Sequence, residues 1–158
     1  GWFEKRRMVK PFADAAFDLI FCSWLLEHLA DPDATFAEIG RVLRPGGVFV
    51  FITPNGRHPL AWLNRILGGA GAVQNWLVTR LYGRPPADTF PTHYRANTPA
   101  ALTRLARAHG MALPTLRAIP DPTYLAFTPA LFRLSAWLEE ALPNGRTIHL
   151  VGAARKSG

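Results

Sequence analysis

Two short, continuous apolar runs separated by one amphipathic helix are the feature that most constrains the fold of this chain. The first run is FDLIFC at residues 17–22, and the second is VFVFIT at residues 48–53. Unbroken apolar runs of this length are typical of strands covered on both faces of a parallel sheet. Asp31 or Asp33 can cap the intervening helix, and Pro32 suits its first turn. Strand, helix and strand within about 40 residues predict a right-handed crossover unit.

The rest of the chain alternates helical and extended patterns, which predicts an α/β fold with a mostly parallel sheet. Leu60, Leu63 and Leu67 form one helical stripe, and a second stripe spans residues 73–81. Thr98-Pro99 and Thr128-Pro129 each predict a helix start. The last of these helices carries an apolar stripe of Leu131, Leu134, Leu138 and Leu142. Three prolines make the extended stretch 113–127 an irregular or edge strand, and residues 147–153 predict a final strand.

The length of 158 residues and a hydrophobic content of 49% predict one globular domain with a core of its own. We divide it into a strand-helix-strand core at 10–56, a helical insertion with a lid loop at 57–97, and C-terminal helices and strands at 98–156. Cys22 is the only cysteine, which excludes an internal disulfide and a multi-cysteine zinc site and makes a reducing, cytoplasmic compartment the default.

The net charge of +7 is unevenly distributed along the chain. Residues 41–120 contain ten arginines, no lysine and one acidic residue, Asp88. Such a stretch suits an anionic acceptor, a membrane surface or nucleic acid, and it equally suits solvated helix faces. No dense basic cluster with interleaved aromatics favours nucleic acid. The apolar insertion could wall an acceptor site or touch a membrane surface peripherally, whereas core packing is the ordinary role of such a stripe.

Several motifs at fixed spacing resemble those of class I S-adenosylmethionine-dependent methyltransferases of the type 11 group. They are the segment FADAAFDLIFCSWLLEHLADP at 12–32, RVLRPGG at 41–47 and TPN at 53–55. FPTHYRANT at 90–98 and DPTYLAF at 121–127 resemble one branch of that group. The resemblance implies a partial Rossmann-like fold with strands four to seven of the family, the last antiparallel, and a helical insertion after the fifth strand. It implies S-adenosylmethionine as the cofactor.

One family motif has no counterpart in the sequence. Members hold the cofactor mainly through a Gly-rich loop after their first strand, and here no Gly-x-Gly motif follows a strand. The glycines of GGAG at 68–71 lie between helical stripes instead. We therefore expect the chain to correspond to the C-terminal part of the family fold, active when joined to an upstream half.

The resemblance also assigns candidate site residues. Cys22 and Ser23 end the fourth strand of the family and would lie along the cofactor, although a simple strand-to-helix turn explains them too. His28 is a candidate base because its ordinary pKa suits proton transfer near neutrality, and its alternative is helix capping. Tyr94 is a second candidate catalytic residue, or else an anchor of its loop. The candidate acceptor contacts are Trp24, Asn55, His93 and Arg95; Trp24 could equally be packing and Asn55 a turn residue.

Other chemistries are less well supported by the residues. His58 and His109 lack partners at ligand spacing, so we expect no metal site. Cys22 is expected to be a buried strand residue rather than a nucleophile. The segment 22–25 lacks the Asp/Asn-Pro-Pro-aromatic motif of amino-methylating DNA enzymes, and Cys22 lacks the preceding proline of cytosine-C5 enzymes, so no DNA substrate is expected. A small molecule, lipid or glycan remains as the acceptor. The rival function is a non-catalytic, degenerate domain that binds a protein partner or a membrane surface.

Overall fold

The computed structural model describes residues 12–68, 92–125 and 128–158. Within them, four strands form one sheet and four α-helices lie beside it. The elements in chain order are β1 (Phe17–Ser23), α1 (Pro32–Val42), β2 (Leu43–Pro54), α2 (Pro59–Gly68), α3 (Pro99–Ala108), β3 (Met111–Ile119), α4 (Pro129–Ala141) and β4 (His149–Lys156). Short 3-10 turns occur at Leu26–His28 and Pro122–Leu125. None of the helices in these ranges is long and apolar enough to cross a bilayer.

The strand order is β1-β2-β4-β3, and the sheet is mixed. β1 and β2 are parallel, as the strand-helix-strand pattern predicts, whereas β4 is antiparallel to both of its neighbours. The antiparallel last strand is confirmed. The mostly parallel sheet is wrong at the level of neighbouring pairs, because β4 lies between β2 and β3 and reverses direction relative to each.

Three helices begin with the same local chemistry. Side-chain oxygens of Asp31, Thr98 and Thr128 each accept a hydrogen bond from the amide three residues ahead, and a proline follows each of them. This arrangement supplies an acceptor for one free helical amide and fixes the backbone of the first turn. The predicted starts at residues 32, 99 and 129 are therefore confirmed.

Arg44, Pro45, Gly46 and Gly47 form a bulge within β2. Phe17 pairs with Leu43, but Leu19 already pairs with Val48, so the residues between them loop out of register. Gly46 has a positive φ of 78°. The guanidinium of Arg44 donates to both carboxylate oxygens of Asp18 and closes the bulge against β1.

The core lies between the sheet and the helices α1 and α3. Its fully buried side chains are Leu26, Phe36, Leu43, Phe49, Phe51, Leu102, Met111 and Leu150. The rings of Phe36 and Phe49 meet edge-to-face, which places the middle of α1 directly over β2. The buried residues of α3 are Leu102, Leu105 and Ala106.

Two predicted apolar stripes are only partly inward. On α4 the buried residues are Ser135 and Glu139, whereas Leu134 is 54% exposed. The face of α4 that carries Ser135 and Glu139 lies inward because Glu139 makes polar contacts there, with His58 and with the amide of Ile148. On α2, Leu63 and Trp62 are exposed. The second stripe, at 73–81, lies outside the described residues, as does most of the predicted lid.

Candidate functional site

The predicted lid loop returns to the sheet at the 3-10 turn that follows β1. The amides of His93 and Tyr94 donate to the main-chain carbonyl of Glu27 at 2.7 and 3.2 Å. The guanidinium of Arg95 donates to the carbonyl of Ala30. The structure thus brings four of the sequence-predicted residues, His28, His93, Tyr94 and Arg95, to one place beside the carboxyl end of β1.

The side chain of Glu27 supports this junction from beneath. It is buried and accepts a hydrogen bond from the Thr53 hydroxyl at 3.2 Å. The amide nitrogen of Asn97 donates to that hydroxyl at 2.6 Å and to the carbonyl of Pro54 at 3.0 Å. Glu27, Thr53 and Asn97 therefore tie the turn after β1, the end of β2 and the returning loop together.

His28 lies at the exposed side of the same turn. Its Nε2 atom is 3.8 Å from Oε1 of Glu27, and about a quarter of its side chain is open to solvent. A carboxylate at this distance attracts an N–H of the imidazole and biases the orientation of the ring. The sequence analysis did not identify Glu27 as a functional residue; the only available signal was its place in the Leu-Glu-His motif.

The end of β1 presents one buried and two exposed side chains. Burial first, and Glu27 second, raise the pKa of Cys22 to about 11, so its thiol is protonated at neutral pH. This agrees with the expectation that Cys22 is not a nucleophile. Ser23 and Trp24 are exposed. Trp24 has a positive φ of 53°, and its amide donates to the Ile52 carbonyl.

Asn55 is fully buried and its side chain serves the fold. Its amide nitrogen donates to the carbonyls of Gly145 and Thr147, and its oxygen accepts from the amide of Arg57. These contacts join the end of β2 to the turn before β4. They favour the turn role of Asn55. Its direct contact with a methyl acceptor stays a prediction.

A second polar group begins beside Trp24. The imidazole of His149 meets the Trp24 ring edge-to-face, with ring centroids 4.8 Å apart, and its Nε2 lies 3.1 Å from Oδ2 of Asp121. The hydroxyl and amide of Thr123 donate to the other oxygen of Asp121. Hydrogen bonds from Thr123 and His149 lower the pKa of Asp121 and keep it ionised. The sequence analysis noted residues 121–127 as a motif but assigned no role to Asp121 or His149.

His58 and Glu139 form a buried pair behind these residues. Nε2 of His58 is 3.2 Å from Oε1 of Glu139, and Nδ1 of His58 accepts from the amide of Leu60. Burial lowers the pKa of His58 to about 4 and raises that of Glu139, so both groups are driven toward their neutral forms. Within the described ranges, no group of three or more His, Cys, Asp or Glu side chains could hold a metal ion.

Comparisons with known proteins agree on one family. Residues 4–51 match the family model described as "Methyltransferase domain". An uncharacterized methyltransferase of Mycolicibacterium paratuberculosis is 31% identical over 129 residues, which are 72% of this chain and 49% of that protein. The chain spans about half, or less, of the length of the curated relatives it matches.

Two solved structures show the same fold. An S-adenosylmethionine-dependent methyltransferase from Mesorhizobium loti aligns over 92% of this chain and 64% of its own, with a TM-score of 0.55 and 20% identity. Geranyl diphosphate C-methyltransferase from Streptomyces coelicolor, solved with Mg²⁺, geranyl diphosphate and S-adenosyl-L-homocysteine, aligns over 92% of this chain and 48% of its own, with a TM-score of 0.58 and 17% identity.

Proposed function

Because the chain belongs to the class I S-adenosylmethionine-dependent methyltransferases, we propose that it forms the acceptor-facing part of such an enzyme. The reaction is methyl transfer to a small-molecule, lipid or glycan acceptor. The observation that carries this proposal is the junction at the Glu27 carbonyl, where the His93 and Tyr94 amides hold the returning loop at the carboxyl end of β1. Open α/β sheets bind their ligands at this edge.

The described residues fit a sulfonium cofactor in part. The exposed Ser23 hydroxyl and the main chain at the end of β1 are available to a ligand that lies across this edge. S-adenosylmethionine, when bound, would supply a methyl group already activated by the positive charge on sulfur. Alignment of the acceptor then supplies much of the catalysis, so the protein needs few reacting groups of its own.

The remaining roles fall to residues around the junction. We assign acceptor contact to Trp24, to His93 and to Arg95, whose cationic side chain suits an anionic acceptor. His28 would remove a proton from the acceptor where the reaction requires it, with Glu27 holding its imidazole. Tyr94 is fixed through its amide. Its hydroxyl would donate a hydrogen bond to the atom of the methyl acceptor from which His28 removes the proton.

The open edge of β1 supports a further part of the proposal. Leu19 and Phe21 are 60% and 66% exposed on an outer strand that has neither a proline nor a bulge between residues 19 and 23. An apolar, regular edge of this kind is a template for another strand. We assign that strand to a cofactor-binding part carrying the Gly-rich loop that the sequence lacks, and propose that methyl transfer requires it. The comparisons give no support to the rival, non-catalytic function.

The proposal is tested with the chain extended upstream in its own reading frame, assayed for transfer of radiolabelled methyl groups from S-adenosylmethionine to a panel of small acceptors. Replacing His28 by Ala is expected to lower the rate by about a hundredfold. The matched control is His109→Ala, because His109 also pairs with a carboxylate, Asp33, but on α1 and away from this edge. Equal activity of the parent and the His28 variant would remove His28 from the mechanism, and no transfer to any acceptor would contradict the proposed function.

A further inference from the structure

We propose that Asp121 and His149 are positioning residues that fix the ring of Trp24 as a flat wall for an aromatic methyl acceptor. The proposal rests on the function proposed above and names the acceptor class for the same site. None of the sequence motifs points to these two residues as a unit, and they lie on different elements from Trp24.

The contacts form a continuous chain from the loop after β3 to the end of β1. Thr123 holds one carboxylate oxygen of Asp121 through its amide and hydroxyl. The other oxygen lies 3.1 Å from Nε2 of His149, which fixes the plane of the imidazole. That imidazole meets the Trp24 ring at an interplanar angle of 87°.

The sheet places this chain of contacts along the carboxyl edge. His149 is the first residue of β4 and pairs with Pro54 at the end of β2 and with Ile119 at the end of β3. Trp24 follows the last residue of β1. The contacts from Asp121 through His149 to Trp24 therefore cross the edge at which the methyl acceptor is proposed to bind, and they link all four strands there.

The exposure of Trp24 identifies the kind of ligand. His149 is buried, whereas Trp24 remains 43% exposed although its ring contacts the imidazole. Its backbone conformation, with φ at +53°, is costly for a large side chain. A fixed, half-exposed indole offers a flat apolar surface, and aromatic rings pair with such a surface edge-to-face or offset. We therefore commit to a planar aromatic acceptor.

The experiment uses the 158-residue chain labelled with 5-fluorotryptophan and followed by ¹⁹F NMR. The five tryptophans give five signals, and the Trp24→Phe variant identifies that of Trp24. Titration with 2-naphthol, a planar aromatic probe, is expected to shift the Trp24 signal saturably. Asp121→Ala is expected to move the Trp24 signal of the free protein and to weaken naphthol binding about fivefold, since the ring must then be ordered on binding.

Asp33→Ala is the matched control, because it removes the carboxylate of a second His–Asp pair, His109–Asp33, whose 3.0 Å spacing nearly equals the 3.1 Å of His149–Asp121. It is expected to change neither the Trp24 signal nor naphthol binding. If thermal unfolding shows that Asp121→Ala does not fold, His149→Gln replaces it, with the same expected loss.

Two results would overturn the inference: an Asp121→Ala protein with unchanged Trp24 signal and unchanged affinity, or naphthol shifts at other tryptophans without one at Trp24. The methyl-transfer assay separates this inference from the proposed function. Asp121-dependent binding of naphthol without methyl transfer to any acceptor contradicts the function and supports the aromatic wall. Methyl transfer with no naphthol effect at Trp24 contradicts the wall alone.

Discussion

The main-chain carbonyl of Glu27 accepts a 2.7 Å hydrogen bond from the amide of His93, and this contact joins the turn after β1 to the loop that returns from the insertion. The two segments are far apart in the sequence but supply most of the candidate site. The side chain of Glu27 secures the same turn to β2 through Thr53 and Asn97. Both the main chain and the carboxylate of Glu27 thus hold the segments of the site in place.

Asn97→Ala is expected to destabilise the chain because it removes the donor that serves both the Thr53 hydroxyl and the Pro54 carbonyl. Leaving buried acceptors without a donor should lower the free energy of unfolding by about 2 kcal/mol. Urea denaturation followed by circular dichroism measures the change. Asn144→Ala, at an exposed turn, is the control and should stay close to the parent. A loss for Asn97→Ala no larger than that of the control would show that the network does not stabilise the fold.

Gly152→Ala is expected to destabilise the chain strongly. Gly152 pairs with Phe51 across β2 and β4, and a Cβ atom there would lie 2.4 Å from Cζ of the buried Phe51 ring. The Phe51 ring is buried and packs against the Phe49 ring, so the cost should be about 2–3 kcal/mol, measured by the same denaturation. Gly158→Ala, where an added Cβ meets nothing within 4 Å, should have no effect. A stable Gly152→Ala protein would contradict the packing of these two strands.

His58→Gln is expected to reduce the loss of stability in acid. The folded chain binds a proton at His58 only near pH 4, because burial and then His149 lower its pKa from 6.5 to about 4. Between these values the unfolded chain binds the extra proton. The free energy of unfolding therefore falls as the pH decreases, by up to about 1.4 kcal/mol per pH unit.

The raised pKa of Glu139 acts in the opposite direction. Its protonated form stabilises the folded chain, and this stabilisation is lost as the pH rises above the ordinary pKa of a glutamate. Parent and variant are therefore compared at each pH from 7 to 4 by thermal unfolding. The difference in Tm between the parent and His58→Gln should close or reverse in acid. The control variant His109→Gln, from the exposed pair, should follow the parent. Parallel curves for the parent and His58→Gln would show that His58 titrates normally.

Phe21→Lys is expected to reduce self-association of the 158-residue chain. Phe21 is exposed on the regular outer edge of the sheet, where a charged side chain blocks pairing with another strand. Sedimentation velocity should show concentration-dependent association for the parent and a monomer for the variant. Phe132→Lys, an exposed aromatic on α4, is the control and should associate like the parent. A monomeric parent at all concentrations would show that the β1 edge needs no partner.

The elements that local patterns determine could be predicted from the sequence. Helix starts at Asp31, Thr98 and Thr128 follow from capping chemistry, and the two apolar runs become neighbouring parallel strands. The polar contacts between distant segments could not. Glu139 lies in an apolar-looking helix, and it faces inward to contact His58, which lies 81 residues away in the sequence, and the Ile148 amide, which lies beyond the end of the helix.

The same limit applies to the candidate site. The sequence predicts His28 and the residues 93–95 separately, and their meeting at Glu27 follows from tertiary hydrogen bonds that no spacing rule encodes. For Asn55 the sequence leaves two roles open, because a polar residue at the end of a strand suits both a ligand contact and a turn. Only the carbonyls of Gly145 and Thr147, on another segment, favour the turn.

Calorimetric titration with S-adenosylmethionine shows whether cofactor binding needs both the end of β1 and an upstream part, using the 158-residue chain and the chain extended upstream in its own reading frame. We expect saturable, one-to-one binding by the extended protein. We also expect that Ser23→Trp, which fills the edge at the end of β1, weakens binding at least tenfold, and that the 158-residue chain gives no saturable heat. Tight binding by the 158-residue chain alone, or binding by the extended protein that Ser23→Trp leaves unchanged, would contradict the proposed function of this edge.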